Sequence, residues 1–350
     1  MIRIAGRAVG SGCPAYLVAE ISANHHQSFE QAVALVRAAA QAGVDAVKLQ
    51  TYTAETMTID SDAAWFRVGE GSPWTGRRLY DLYQEAHTPW AWHAALQKVA
   101  ADAGVVLFST PFDESAVEFL ESLDVPAYKI ASFELVDTPL LRRVARTGKP
   151  VILSTGMATR EEIGEAVEAL RAAGGRELML LRCASAYPAD PADIHLRAMQ
   201  TLAREFDVEV GLSDHTLDPA VATAAVALGA SLVEKHFTLD RARGGPDSSF
   251  SLEPAEMTEL VRHVRTAERA IGARAEIPGP TAAERASLAF RRSLFVVQDV
   301  AAGEAFTPTN VRALRPGDGL APKHLDTVVG RRAAVRIPRG TPLRWELIAP

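Results

Sequence analysis

Residues 149–175 read KPVILSTGMATREEIGEAVEALRAAGG, and the order of features in them decides the fold. Val151, Ile152, Leu153 and Ser154 form a short apolar, β-branched run, the pattern of a strand buried on both faces. A polar turn follows. Thr159 and Glu162 then stand three apart, the spacing at which a threonine hydroxyl and a glutamate carboxylate satisfy each other's backbone N–H groups at a helix start. The amphipathic stretch behind them closes on glycine.

The same unit recurs along the chain. Strand-like runs occupy 16–21, 46–49, 105–109, 127–130, 151–154, 178–181, 208–212 and 232–234, and a second capping pair, Ser28 with Gln31, opens a helix that Gly43 stops. Eight such units over about 270 residues predict a (β/α)8 TIM barrel, since no Gly-rich phosphate fingerprint follows the first run as a doubly wound sheet would require. The stretch 51–88 is long for a strand-to-helix connection and carries Trp65, Trp74, Tyr80 and Tyr83. It reads as a lid or substrate wall, or as a peripheral hairpin and helix. After Gly272 comes a Pro/Gly/Ala segment, then short strand-like runs punctuated by turns. The expected organisation is a barrel over 1–276, a linker over 277–289 and a small β-rich domain over 290–350.

Composition limits the function classes. The 350 residues are 48% hydrophobic and 23% charged, ordinary values for a soluble globular protein. Two cysteines, Cys13 and Cys183, cannot build a disulfide framework. No membrane-length apolar run or secretory signal is read, so a cytoplasmic protein without membrane contact is expected. The net charge is −6, yet residues 281–350 carry eleven Lys/Arg against six Asp/Glu. These basic residues are dispersed without interleaved aromatics, which argues against nucleic acid and leaves an acidic surface or anionic substrate as partner, or a solvated face.

In a barrel of this type the chemistry sits where strands end. The polar residues there are Glu20 and Asn24; Lys48 and Gln50; Thr110; Lys129, Ser132 and Glu134; Ser154 and Thr155; Arg182, Ser185 and Tyr187; Ser213, Asp214 and His215; Glu234, Lys235 and His236. Lys48, Lys129 and Lys235 with the hydroxyls of Thr110, Ser132, Ser154, Ser185 and Ser213 suit an anion cradle better than a Schiff-base site, the competing structural role being salt bridges to Glu20, Glu134 or Glu234. His215 and His236, at the ends of the last two runs, suit a divalent cation with open positions, or acid/base work; Asp214 is a candidate to orient its neighbour. Glu20 with His25 and His26 forms a second acid/base or metal candidate, against a turn-shaping role. His87, His93 and His195 receive none.

The strings AEISANH, VKLQTY, STPFDESAVEFLE, YKIASFEL, KPVILSTGMAT, GLSDHT, EKHFTLDR and RPGDGL resemble the sialic acid synthase family, whose members condense phosphoenolpyruvate with an amino-sugar aldehyde. LYDLYQEAHTPWAWH and TYTAETMT resemble its pseudaminic acid synthase branch rather than the N-acetylneuraminate or legionaminate branches. The resemblance implies a C-terminal antifreeze-like (SAF) domain and a domain-swapped homodimer. It implies a phosphoenolpyruvate cradle of Lys48, Thr110, Lys129, Ser132, Ser154, Ser185 and Ser213, and Mn2+ or Mg2+ on His215 and His236. Glu20 would be the acid/base near the attacking water, with Lys48, Lys129 and Glu134 among the catalytic groups. Gln50, Glu134, Tyr187, Asp247 and Arg315 would meet the sugar, Arg315 from the partner subunit. A class I aldolase using Lys129 or Lys235, and a non-catalytic carbohydrate- or ice-binding protein, are the rival classes. One departure stands out: where the family usually has Asn-Gly after AEISANH, this chain has His26 and Gln27, so the turn is either free of positive φ or strained.

Overall fold

The structure is a computed structural model that describes residues 1–272 and 279–350. The chain forms two compact units, Met1–Ala273 and Arg274–Pro350. The expected boundary at 276/277 and the first residues of the expected linker lie outside the described residues.

The first unit opens with a hairpin not anticipated from the sequence, β1 (Ile2–Ile4) antiparallel to β2 (Arg7–Val9). Eight parallel strands then close into a barrel: β3 (Tyr16–Glu20), β4 (Ala46–Thr51), β5 (Val106–Pro111), β6 (Tyr128–Ile130), β7 (Val151–Ser154), β8 (Leu178–Cys183), β9 (Glu209–Asp214) and β10 (Leu232–His236), with β10 pairing back onto β3. This is the TIM barrel the repeated units predict. Thr159 and Glu162 form the complete capping box. Only half of the other forms, since Ser28 Oγ accepts from Gln31 N and its hydroxyl turns to Glu30.

Side chains alternate along a strand, so the barrel wall sorts residues by parity. Val18, Ala46, Phe108, Ala127, Ile152, Leu181 and Leu232 share one buried cluster with Ile2, Ile4 and Val9 of the hairpin. The hairpin therefore plugs the N-terminal end of the barrel. Leu17, Ala19, Val47, Leu49, Leu153, Leu212 and Val233 belong instead to the cluster that joins strands to the surrounding helices. Two residues beyond each inward apolar position the side chain is inward again: Glu20, Lys48, Thr110, Lys129, Ser154, Cys183 and Glu234. An apolar floor thus gives way to a polar layer at the C-terminal mouth without any break in the strands.

The 51–88 connection has structure of its own, with helices Ala54–Met57 and Leu79–Ala86 flanking a loop pinched by an antiparallel bridge between Arg67 and Arg78. The second unit pairs β11 (Ser293–Val296) antiparallel with β12 (Val311–Leu314) and adds several isolated bridges around a core of Leu294, Val300, Phe306, Ile337 and Leu343. No helix of the described residues is long and apolar enough to cross a membrane.

Candidate active site

The polar layer lines a cavity of about 330 Å³ that opens at the C-terminal ends of the barrel strands. At its floor four buried charged side chains interlock. Lys48 Nζ lies 2.5 Å from Glu20 Oε2 and 3.7 Å from Glu234 Oε1, and donates to Thr110 Oγ1 at 3.1 Å. Lys129 Nζ also lies 3.7 Å from Glu234 Oε1 and donates to the Ile130 carbonyl. Gln50 Nε2 donates to Glu20 Oε1 at 2.9 Å.

Burial and neighbouring charge set the acidities. Burial pushes the Glu20 carboxyl up to about 7, against the pull of Lys48 and with help from Glu234. Burial would also raise Glu234, but Lys129 and Lys48 outweigh it and hold that carboxyl below its usual range. Lys129 is shifted down by burial, whereas the carboxylates of Glu20 and Glu234 overcome burial at Lys48 and raise it. Higher on the wall, burial lifts Glu134 to about 7 and Asp247 to about 6, the latter despite a bond from the Ala23 N–H. Ser22 Oγ also donates to Asp247.

Just beyond Lys129, Ser132 Oγ accepts from Gly156 N at 3.1 Å, and a Cβ placed on Gly156 would overlap Ser185 Oγ and come within 2.8 Å of Ser132 Oγ. Gly156 is therefore the gap through which two serines approach one another. Ser154 Oγ is buried and finds no hydrogen-bond partner among the described residues. Ser213 completes this side of the cavity. Two lysines and a free buried hydroxyl form a site for an anion with several oxygens.

His215 and His236 adjoin with ring centroids 5.3 Å apart. His215 Nδ1 donates to the Ala184 carbonyl at 3.0 Å, which leaves its Nε2 as the free donor atom. His236 Nδ1 is buried without a partner among the described residues, and burial with the surrounding cationic groups keeps this ring neutral. A divalent cation fits this donor set: two imidazoles supply lone pairs, and substrate and water oxygens would complete its shell. Among the described residues no cluster of three or more His, Cys, Asp or Glu offers a closed site.

Several sequence expectations are refined. Lys235 does not belong to the cradle: the strand alternation turns it outward, where it pairs with Asp214 at 3.0 Å and donates to the Thr216 carbonyl. Asp214 therefore serves Lys235 rather than orienting His215. Arg182 also points away, onto the carbonyls of Cys183, Asp193 and Ile194. Asn24 braces the Phe237 carbonyl and Ser251, and His25 packs edge-on against Trp92 and bonds Thr88, so both are structural. Arg315 stands in the second unit, directly after β12. Of the four aromatics singled out in 51–88, Trp74 and Tyr83 line the cavity, as does Tyr52, while Trp65 is 88% exposed and Tyr80 bonds Glu55.

His26 and Gln27 both adopt positive φ, 49° and 52°, so the turn that the family usually builds with glycine is strained here by about 1–3 kcal/mol per residue. Gln27 offsets part of this by donating from Nε2 to the carbonyls of Glu85 and His87, at 2.9 and 2.6 Å, which ties the end of helix Leu79–Ala86 to the barrel. Two wall residues escaped the sequence reading as site candidates. Glu234 stands among the strand-end residues but is given no role beyond a lysine partner, and Cys183 is considered only for disulfide formation. Parity with His236 and with Leu181 is the signal that finds them. The Cys183 thiol is resisted by burial but brought down to about 7 by His215, Ser132 and Lys129.

The comparisons with known proteins agree on one relationship. Residues 35–276 match the NeuB family, and residues 291–349 match the SAF domain. The pseudaminic acid synthase of Helicobacter pylori is 42% identical over 330 residues, covering 94% of this chain and 96% of its own. That of Campylobacter jejuni serotype O:23/36 is 41% identical, covering 94% and 95%. Among solved structures, the N-acetylneuraminic acid synthetase of Leptospira borgpetersenii, crystallised with citrate, superposes with a TM-score of 0.72 at 29% identity, over 82% of this chain and 94% of that one.

Proposed function

The chain belongs to the NeuB family, and from that premise we propose that it is a pseudaminic acid synthase, joining phosphoenolpyruvate, water and 2,4-diacetamido-2,4,6-trideoxy-L-altrose into pseudaminic acid and phosphate. The observation that carries this reading is a single cavity in which buried Lys48, Lys129 and the unpartnered Ser154 hydroxyl face His215 and His236. An oxygen-rich anion and an aldehyde can meet there.

Lys48 and Lys129 neutralise the phosphate and carboxylate of phosphoenolpyruvate, and Thr110, Ser132, Ser154, Ser185 and Ser213 donate hydrogen bonds to their oxygens. C3 of phosphoenolpyruvate attacks the aldehyde carbon, forming the C–C bond while the aldehyde oxygen takes the proton that Glu20 holds once the anion is bound, which leaves Glu20 a carboxylate. A divalent cation, Mn2+ or Mg2+, held by His215 and His236 would polarise that oxygen when bound. Water adds at C2, and Glu20, with a pKa of about 7, takes its proton. The C2–O bond then breaks, and phosphate leaves against the lysines as the keto group forms. Gln50, Glu134, Tyr187 and Asp247 bond the polar groups of the sugar.

The partner in this reading is a second copy of the chain. Phe133 and Val136, in the 3-10 helix Ser132–Val136 that follows β6, and Met157, in the turn after β7, are 57%, 60% and 61% exposed, an apolar rim that a partner's SAF domain would cover while bringing Arg315 to the sugar. The proposed compartment is the cytoplasm, where phosphoenolpyruvate is made. Incubating the protein with phosphoenolpyruvate, Mn2+ and each candidate aldehyde, and weighing the product, tests the assignment. Pseudaminic acid is the expected mass; turnover of N-acetylmannosamine alone would overturn it.

A further inference from the structure

Lys235 and Asp214 take no part in lining the cavity. Both turn outward from the barrel wall and both are buried. The outward residues around them, Leu212, Val233 and Phe237, belong to the apolar cluster shared with Ala222, Ala225, Met257 and Leu260 of the helices Pro219–Ala227 and Pro254–Ile271. The pair is an ionic island in an apolar layer. A buried ion pair of this kind is no more stabilising than well-packed apolar side chains would be, but it is directional. Lys235 Nζ meets Asp214 Oδ2 at 3.0 Å and donates to the Thr216 carbonyl, while Asp214 Oδ1 accepts from Thr216 N at 2.9 Å. Both backbone groups of Thr216 are thus held by one pair of side chains.

The place of this grip matters because of its neighbours. Lys235 and Asp214 are the last register pair of the β9–β10 ladder, and the residue that follows each is a histidine, His236 and His215. Where the backbone ladder stops, the side chains carry the link between the strands on to Thr216, so that His215 lies between two residues tied to Lys235. We infer that Lys235 and Asp214 are positioning residues for a divalent cation: by locking the two strand ends together they set the spacing at which His215 and His236 present their imidazoles. This rests on the metal reading given above. The hydrogen bonds of the pair go to each other and to backbone, so the pair acts on the chain from which the rings hang. The ring centroids lie 5.3 Å apart. Among the described residues no cluster of three or more candidate ligands exists, so no further protein ligand compensates for an error in that spacing.

The test titrates Mn2+ into the full-length protein and follows free Mn2+ by its electron paramagnetic resonance signal, counting the binding that is lost in His215→Ala. The double variant Asp214→Asn/Lys235→Met removes both charges at similar volume and leaves no buried ion unpaired, so the fold should survive. Its Mn2+ affinity should fall about 10- to 100-fold, the range for losing a group that orients metal ligands. Phosphoenolpyruvate binding measured without metal should be unchanged, because the cradle lies on the other face of the barrel wall, and turnover should recover as Mn2+ is raised. His93→Asn, a buried substitution beside β4 and β5, should lose stability yet keep the native Mn2+ affinity. Should the double variant misfold, Asp214→Asn alone, which keeps the Lys235 bond to the Thr216 carbonyl, should weaken Mn2+ in the same direction. Native affinity in either folded variant, or an equal loss in His93→Asn, would overturn the positioning role and leave the metal site standing. A native protein that binds no Mn2+, with or without phosphoenolpyruvate, would overturn the metal reading and this role with it.

Discussion

Replacing Gly156 by alanine asks whether the two serines beside it hold the phosphoenolpyruvate anion. Gly156 is not among the residues with positive φ, so an alanine backbone is allowed there and the fold should survive. The new methyl group cannot be accommodated without movement, since it overlaps Ser185 Oγ and approaches Ser132 Oγ to 2.8 Å. Both hydroxyls must swing away, and the bond from Gly156 N to Ser132 Oγ is disturbed with them. A hydrogen bond to a charged oxygen is worth about 1.5–3 kcal/mol. Losing one such bond corresponds to about a 10- to 150-fold change in affinity, at 1.4 kcal/mol per tenfold. Phosphate release measured against phosphoenolpyruvate at saturating sugar and Mn2+ should show that rise in KM, with kcat changed less because the lost contact serves ground and transition states alike. The double variant Gly156→Ala/Ser185→Ala, which removes the overlap with Ser185 but keeps the 2.8 Å approach to Ser132 Oγ, should be weaker than Ser185→Ala alone by less than the full effect of Gly156→Ala. An unchanged phosphoenolpyruvate KM in Gly156→Ala, or strict additivity in the double variant, would refute the cradle geometry.

Other consequences are equally direct. His25 and His93 are buried and neutral, with pKa values lowered by burial from 6.5 to about 4; the unfolded chain protonates first, so the histidine contribution is full above pH 7 and is lost as pH drops from 6.5 toward 4. At pH 5 that loss is about 2 kcal/mol per histidine at 1.36 kcal/mol per pH unit, and because the raised carboxyls of Glu20, Glu134 and Asp247 favour the fold over the same range, it is read as the difference in urea midpoint between the native protein and His93→Asn; a difference that stays constant between pH 7.5 and 5 would contradict it. His215→Ala and His236→Ala should each abolish Mn2+-dependent turnover while the circular dichroism spectrum is kept, and unchanged rates in either would remove the metal role. Arg315→Ala should raise the sugar KM more than the phosphoenolpyruvate KM, and deletion of 281–350 should cost both dimer and activity; a fully active truncated monomer is the opposing result. Phosphoenolpyruvate binding at pH 8 should take up protons, because a new anion moves the carboxyls of Glu20 and Glu134 upward from about 7; identical binding enthalpies in buffers of different ionisation heat would exclude it.

The barrel was legible because its period is legible: short apolar runs, capped helices and closing glycines repeat, and the sealed interior forces charged groups to the strand ends. Membership of the polar layer was legible for the same reason. What the sequence reading blurred was direction. Lys235 and Glu234 are adjacent and both charged, yet only Glu234 enters the cavity, and Asp214 beside His215 faces the helices. Alternation from the apolar interior residues Leu181 and Leu232 separates them, and it brings in Cys183 as well. The 51–88 wall was beyond such logic. Its aromatics follow no strand period, and whether Trp74 or Trp65 turns inward depends on tertiary contacts, here the bond from Trp74 Nε1 to the Pro246 carbonyl. The β1–β2 hairpin escaped for a simpler reason: three-residue strands carry too little pattern to register.

The charge arrangement at the floor explains why Glu20 is the carboxyl left near neutrality. Two lysines and two carboxylates share the buried floor of the cavity, and the pairs are unequal: Glu234 lies within 3.7 Å of both ammonium groups, whereas Glu20 makes its ion pair with Lys48. Coulomb attraction in a buried site grows with each close opposite charge, so Glu234 stays ionised and anchors both lysines. Glu20, with one close cation and a second anion nearby, is the group whose proton is easily exchanged. An incoming polyanion adds negative charge beside it and meets a site that can protonate rather than accumulate that charge. When water later attacks and phosphate departs, the negative charge leaves and Glu20 can again accept a proton. Gln50 keeps its carboxyl aligned through that cycle, because the amide can donate to Glu20 Oε1 whether or not the acid carries its proton on the other oxygen.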